Sequence, residues 1–241
     1  MESRFDNLTE EMMGERIRSI RESIAQAAAE AGRSPQEIRL MAVTKTVPAQ
    51  VVNMAIAQGV TLLGENRAQE LCAKYDDYHK DGCSIHFIGG LQTNKVRQII
   101  DKVDMIESVD SFHLAKEISR LCVRDGRTMD ILLEVNIGGE ESKGGVAPGQ
   151  LEELARQIAQ LPAISIQGLM TIPPICQDQR VLEDYFAGMR EIFIDMKAKS
   201  IDNVNMCFLS MGMSGDYLTA IRYGANIVRL GTAMFGARVY H

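Results

Sequence analysis

Three places in the sequence put reactive or anion-binding residues directly after an apolar run. In "RLMAVTKTVPA" (39–49), Lys45 follows a short apolar stretch. In "LSMGMSGD" (209–216) and "VRLGTAMFG" (228–236), small residues do so. Glycines let a backbone approach an anion closely, and free N–H groups in such turns form an anion nest. Ser210, Ser214 and Thr232 add hydroxyl donors. Either turn alone is equally well read as plain turn chemistry; the two together favour a phosphate cup. Lys45 admits three readings: a solvated cap, a phosphate ligand, or a partly desolvated amine. In the last case burial lowers its pKa, and the neutral amine can attack an aldehyde. A ligand carrying both an aldehyde and a phosphate would use all three places.

Other chemistries find little support. No G-x-x-x-x-G-K-[ST] is present, and no G-x-G-x-x-G follows a strand. "GGEESKGG" (138–145) fits neither spacing and reads as a flexible loop or lid. H-E-x-x-H and G-x-S-x-G are absent, and the four histidines (79, 86, 113, 241) are scattered. The five cysteines are widely spaced without a C-x-x-C, which argues for a reducing compartment rather than a disulfide framework. A net charge of −6 gives no general attraction to nucleic acid or to an anionic membrane. The N-terminus "MESRFDNLTE" is unlike a signal peptide, and no apolar run approaches the roughly 20 residues of a membrane span. A cytoplasmic protein is expected.

These residues need a frame to bring them together. Short apolar runs recur at 38–43, 60–64, 84–89, 103–109, 129–137, 163–172, 204–211 and 226–231. Amphipathic stretches at 48–58, 66–79, 92–101, 111–124, 148–160, 178–199 and 214–223 separate them. A further helix over 8–31 ends at Gly32. Strands alternating with helices imply parallel pairing through helical crossovers. Eight repeats predict an α/β protein with a single-domain (β/α)8 TIM barrel, near the lower size limit of that fold. A doubly wound open sheet is the alternative. Residues 1–33 would form the extra N-terminal helix and 34–241 the barrel. Barrel chemistry gathers at the C-terminal strand ends. Lys45, Glu65, Asn66, Gln92, Asn94, Lys95, Asn136, Ser142, Lys143, Thr171, Ser210, Ser214, Arg229 and Thr232 all fall there.

The segments "MAVTKTVP", "LLGENRAQEL", "IHFIGGLQTNK", "VNIGGEESKGG", "GLMTIPP", "LSMGMSGDYLTAI" and "VRLGTAMFGAR" together resemble the pyridoxal phosphate homeostasis protein family. The likeness spans roughly residues 38 to 238, with the motifs in order. It implies a barrel of PLP fold type III, similar to the N-terminal domain of alanine racemase. It implies pyridoxal 5′-phosphate (PLP) held as a Schiff base on Lys45, with Asn66 beside the cofactor. Ser210, Gly231 and Thr232 would hold the phosphate, Arg229 would face the pyridine nitrogen, and Met211 and Met213 would line the pocket. Arg67 stands where the family often has an aromatic residue, Ile85 where tryptophan is usual, and Gly90 where proline is common. None of these falls on a residue assigned to PLP.

PLP enzymes that need a strong electron sink place a carboxylate at the pyridine nitrogen. An arginine, always cationic, disfavours a protonated ring. Racemisation tolerates this, but also needs a second acid or base on the opposite face. Alanine racemase takes that group from an added domain, for which the sequence leaves no room; Tyr217, Tyr223 and Tyr240 have no evident route to the face. The expectation is therefore a protein that binds, stores or hands on PLP without turnover. A weak PLP-dependent amino-acid racemase is the alternative. Transient contact with apo-PLP enzymes and a monomeric state are further expectations.

Overall fold

The computed structural model describes residues 5–140, 143–176 and 178–237. A long helix, α1 (Glu10–Glu30), comes first. The Thr9 hydroxyl caps it by accepting the Met12 N–H at 3.2 Å, which satisfies one of the orphan donors of its first turn. Its buried stripe (Met13, Ile17, Ile20, Ile24, Ala27 and Ala28) recurs at helical spacing.

Eight strands follow: β1 (Arg39–Val43), β2 (Leu62–Glu65), β3 (Ser84–Phe87), β4 (Met105–Val109), β5 (Met129–Glu134), β6 (Ile164–Met170), β7 (Val204–Met213) and β8 (Ile227–Leu230). Each pairs in parallel with the next in sequence, and β8 closes on β1. The barrel is therefore complete, and the open-sheet alternative is excluded. Between the strands run α2 (Ala49–Ala57), α3 (Ala68–Lys74), α4 (Thr93–Ile99), α5 (Phe112–Asp125), α6 (Leu151–Ala159), α7 (Gln179–Ala198) and α8 (Tyr217–Arg222). A short α9 (Thr232–Phe235) follows β8. Residues 66–79 form only the short α3 and a 3-10 turn at Tyr75–Asp77, rather than one long helix.

The period-two alternation of each strand divides the barrel into two cores. Outward residues such as Ala42, Leu63, Ile106, Leu133, Leu209 and Val228 join the helices in the large outer core. Inward residues fill the barrel: Met41, Leu62 and Ile227 on one side, with Met105, Leu132 and Met170 on the other. Packed side chains thus close the base of the barrel, and any cavity must lie above them, toward the strand C-termini.

Candidate functional site

Above that apolar floor the inward positions turn polar. His86, Glu107, Ser210 and Arg229 are all essentially inaccessible to solvent. Charged side chains are almost never buried this deeply unless paired, and these pair with one another. Glu107 accepts from Ser210 Oγ at 2.6 Å through Oε2, and its Oε1 lies 2.6 Å from His86 Nδ1. Arg229 donates through Nη1 to the Ser210 carbonyl at 2.7 Å and to Ser210 Oγ at 2.8 Å. Its Nη2 donates to the Thr171 carbonyl at 2.8 Å. Burial acts to raise the Glu107 carboxyl, but His86, Arg229 and Ser210 outweigh it and hold the pKa below its ordinary value. Burial also works against the Arg229 charge, which Glu107, Glu134 and Asp216 support. The guanidinium is thus fixed in place from below, on three acceptors.

A cavity of about 260 Å³ opens over this layer. Lys45 enters it from the loop after β1, Asn66 from the loop after β2 and Arg229 from β8. Gly231 and Thr232 follow β8, while Met213, Ser214 and Gly215 come from the end of β7. Val43, Ile88 and Ile172 complete the wall. Asn66 Oδ1 is buried without a hydrogen-bond donor; buried polar atoms normally find a partner. On the β7–β8 side, Ser214 Oγ accepts from the N–H groups of Gly231 (3.3 Å) and Ala233 (3.1 Å). Two backbone donors and the hydroxyls of Ser214 and Thr232 are therefore gathered where an anion would use them.

Six of the eight residues expected from the sequence meet in this cavity: Lys45, Asn66, Met213, Arg229, Gly231 and Thr232. Two do not, and strand geometry explains both. Ser210 points inward but lies in the buried layer beneath, committed to Glu107 and Arg229. Met211, the next residue, points outward into the helix-facing core. Of the three hydroxyls expected in the anion cup, Ser214 and Thr232 line the cavity and Ser210 does not. A bulge accounts for this. Ser210 pairs with Ile227 and Met213 with Arg229, so β7 spends one residue more than β8 over the same span. Gly212 (φ 92°) takes up the bend, and a Cβ there would stand 2.6 Å from the Ala220 Cβ. The extra residue turns Met213 and Ser214 into the cavity.

Gln92, Asn94, Lys95, Asn136, Lys143, Tyr217 and Tyr223 do not line the cavity. Ser142 and Tyr240 lie outside the described residues. Sequence reasoning overlooked Glu107 and Glu134. Both are acids at inward positions of largely apolar strands, and that anomaly was the available signal. Burial and the nearby Asp110 carboxylate push the Glu134 pKa up to about 7, with Arg229 opposing. Among the described residues, no group of three His, Cys, Asp or Glu side chains is placed to hold a metal ion. No described helix is long and apolar enough to cross a membrane.

The sequence pattern of the alanine racemase N-terminal domain matches residues 16–239. The pyridoxal phosphate homeostasis protein of Aquifex aeolicus is 42% identical over 226 residues, covering 94% of this chain and 98% of that protein. Its namesake from Pseudomonas aeruginosa is 39% identical, covering 95% and 96%. The crystal structure of PipY from Synechococcus elongatus with PLP bound superposes with a TM-score of 0.81 at 32% identity, covering 93% of this chain and all of that one. An alanine racemase from Corynebacterium glutamicum shares the fold at 17% identity and a TM-score of 0.64, and the likeness covers 59% of that longer chain. With its closed barrel and near full-length matches, the chain belongs to the alanine racemase N-terminal domain family and, within it, to the pyridoxal phosphate homeostasis proteins.

Proposed function

We propose that the protein binds PLP reversibly in the cavity above Arg229, captures it through the Lys45 amine, and serves PLP homeostasis by holding and releasing it. The observation that carries this reading is one small cavity presenting both a primary amine and an anion cup. The PLP-bound structure of PipY supports it. The donor set fits the ligand. The N–H groups of Gly231 and Ala233, with the Ser214 and Thr232 hydroxyls, suit a phosphate dianion. Asn66 Oδ1, buried without a donor, awaits one from a ligand. Met213, Ile88 and Ile172 offer apolar surface to a ring.

When bound, PLP supplies an aldehyde that condenses with an amine with loss of water, and a ring that withdraws electrons. The protein's residues set how far that chemistry goes. Lys45 presents the amine. Arg229 is assigned to the pyridine nitrogen, where its fixed positive charge opposes ring protonation and weakens electron withdrawal. Among the described residues, those lining the cavity include one amine, Lys45, and one guanidinium, Arg229, but no carboxylate, imidazole, thiol or phenol. A racemase needs a second acid or base on the other face of its substrate. The site therefore suits capture and release rather than turnover.

Two measurements test this reading. Titration of the ligand-free protein with PLP should give a saturable visible absorbance band, and dialysis against a competing amine should remove it. Incubation of the loaded protein with L-alanine in deuterium oxide should leave the α-proton in place. Exchange at an enzymatic rate would contradict a holding role.

A further inference from the structure

Helix α3 carries Glu70 and Lys74 four residues apart, on one face. Neither lines the cavity. Both reach for the backbone on either side of Lys45. Glu70 Oε1 accepts the Thr46 N–H at 2.5 Å. Lys74 Nζ donates to the Thr44 carbonyl at 3.0 Å, to the Val47 carbonyl at 3.4 Å and to Glu70 Oε1 at 2.8 Å. It also lies 3.0 Å from Glu65 Oε1. Glu65 is fully buried and receives the Thr44 hydroxyl at 2.6 Å and the Tyr78 hydroxyl. Thr44, Thr46 and Val47, the neighbours of Lys45 in the loop, are thus each held from the helix side.

The grip falls on a strained backbone. The Val47 N–H donates to the Thr44 carbonyl at 3.0 Å, which closes a four-residue turn with Lys45 second and Thr46 third. Thr46 has φ 61°. A positive φ at the third position of such a turn calls for glycine or asparagine, and a β-branched residue there is a genuine outlier. Strain of this kind persists only where the surroundings over-determine it. Here the surroundings are the carboxylate on the Thr46 N–H and the ammonium on the two flanking carbonyls. Were the turn to relax, the direction in which Lys45 leaves the backbone would change.

We propose that Glu70, fixed by Lys74, is a positioning residue: it holds the Thr44–Val47 turn in the strained form that aims the Lys45 amine into the cavity, without touching the ligand. The proposal rests on the reading that Lys45 captures the PLP aldehyde. It differs from a purely structural role because strain, not packing, is what Glu70 opposes. A residue that accepts positive φ freely should make Glu70 dispensable.

The test compares Glu70→Ala, Thr46→Gly and the double variant, with two ligands. PLP reports capture by Lys45. Pyridoxine 5′-phosphate, with an alcohol in place of the aldehyde, reports the cup and ring site alone. Glu70→Ala should weaken PLP retention by about tenfold, the scale of one strained residue, and leave pyridoxine 5′-phosphate binding unchanged. Thr46→Gly in the Glu70→Ala background should restore PLP retention, since glycine adopts this conformation without penalty. In the ligand-free protein, amide exchange at Thr46 and Val47 should speed up by about tenfold or more in Glu70→Ala as the turn opens. Equal loss of both ligands, no rescue by Thr46→Gly, or unchanged exchange would each overturn the proposal. Wild-type protein that retains no PLP on Lys45 would instead refute the functional reading, and the exchange rates would still decide whether Glu70 holds the turn.

Discussion

Replacing Glu134 by glutamine should stabilise the protein at about pH 8 and change little at about pH 5. Glu134 ends β5 and points into the barrel mouth. Its carboxylate and that of Asp110 face the same glycine: a Cβ on Gly144 would lie 3.7 Å from Glu134 Oε2 and 3.6 Å from Asp110 Oδ2. Burial and this like-charged neighbour raise the Glu134 pKa from 4.5 to about 7. The sign follows directly. A carboxyl that holds its proton more tightly when folded favours folding while protonated, and that advantage disappears as pH rises through the folded pKa. Above that point the folded protein bears the whole cost of a buried carboxylate. A rise from 4.5 to about 7 corresponds to about 3 kcal/mol, at about 1.4 kcal/mol per pKa unit. Glutamine resembles the protonated acid in shape and carries no charge, so it removes the cost. In a domain of this size about 3 kcal/mol raises Tm by about 6–12 °C. Thermal melts of both proteins should diverge as pH rises from 4.5 to about 7 and stay apart by a constant amount above that. A difference independent of pH, or a variant less stable at about pH 8, would refute the reasoning.

Three other predictions concern the cavity and its floor. Glu107→Gln leaves the buried Arg229 without its facing carboxylate and should cost about 3 kcal/mol in urea unfolding at neutral pH. Because the folded pKa of Glu107 is depressed, that difference should shrink as acid protonates the wild-type carboxyl. Ser214→Ala and Thr232→Ala should each weaken PLP retention by about tenfold, the worth of one hydrogen bond to a charged group. Neither should change the binding of pyridoxal, which lacks the phosphate. Gly89→Ala would place a Cβ 2.2 Å from the Asn66 carbonyl oxygen. It should destabilise the fold by about 2 kcal/mol or more and shift Asn66, so ligand retention should fall with stability.

The barrel was legible because its strands are buried on both faces and read as near-continuous apolar runs. "IRLMAV" and "MDILLEVNI" need no subtle pattern to be seen. The site was legible where a residue lies at a strand end, as Lys45, Asn66, Gly231 and Thr232 do. It was illegible where one inserted residue changes the facing of those beyond it. Of the two serines expected in the cup, the bulge at Gly212 leaves Ser210 in the buried layer and brings only Ser214 to the cavity, and "SMGMSG" carries no mark of where pairing slips. The buried layer was hidden for another reason. Glu107 in "MIESV" is a single acid in an apolar run, and its partners His86, Ser210 and Arg229 arrive from three other strands. Nothing along the chain links them. The strained turn at Thr46 was hidden because the residue type argues against the conformation. Only α3, packed beside the turn, shows what holds it.

The proposed function makes Lys45 the amine that holds PLP. Borohydride reduction of the PLP-loaded protein, followed by mass mapping of its peptides, tests this most directly. One reduced PLP adduct is expected, on Lys45, and none in Lys45→Ala protein of intact fold. An adduct on Lys95 or Lys143 in the wild-type protein, or one that survives unchanged in Lys45→Ala, would contradict it.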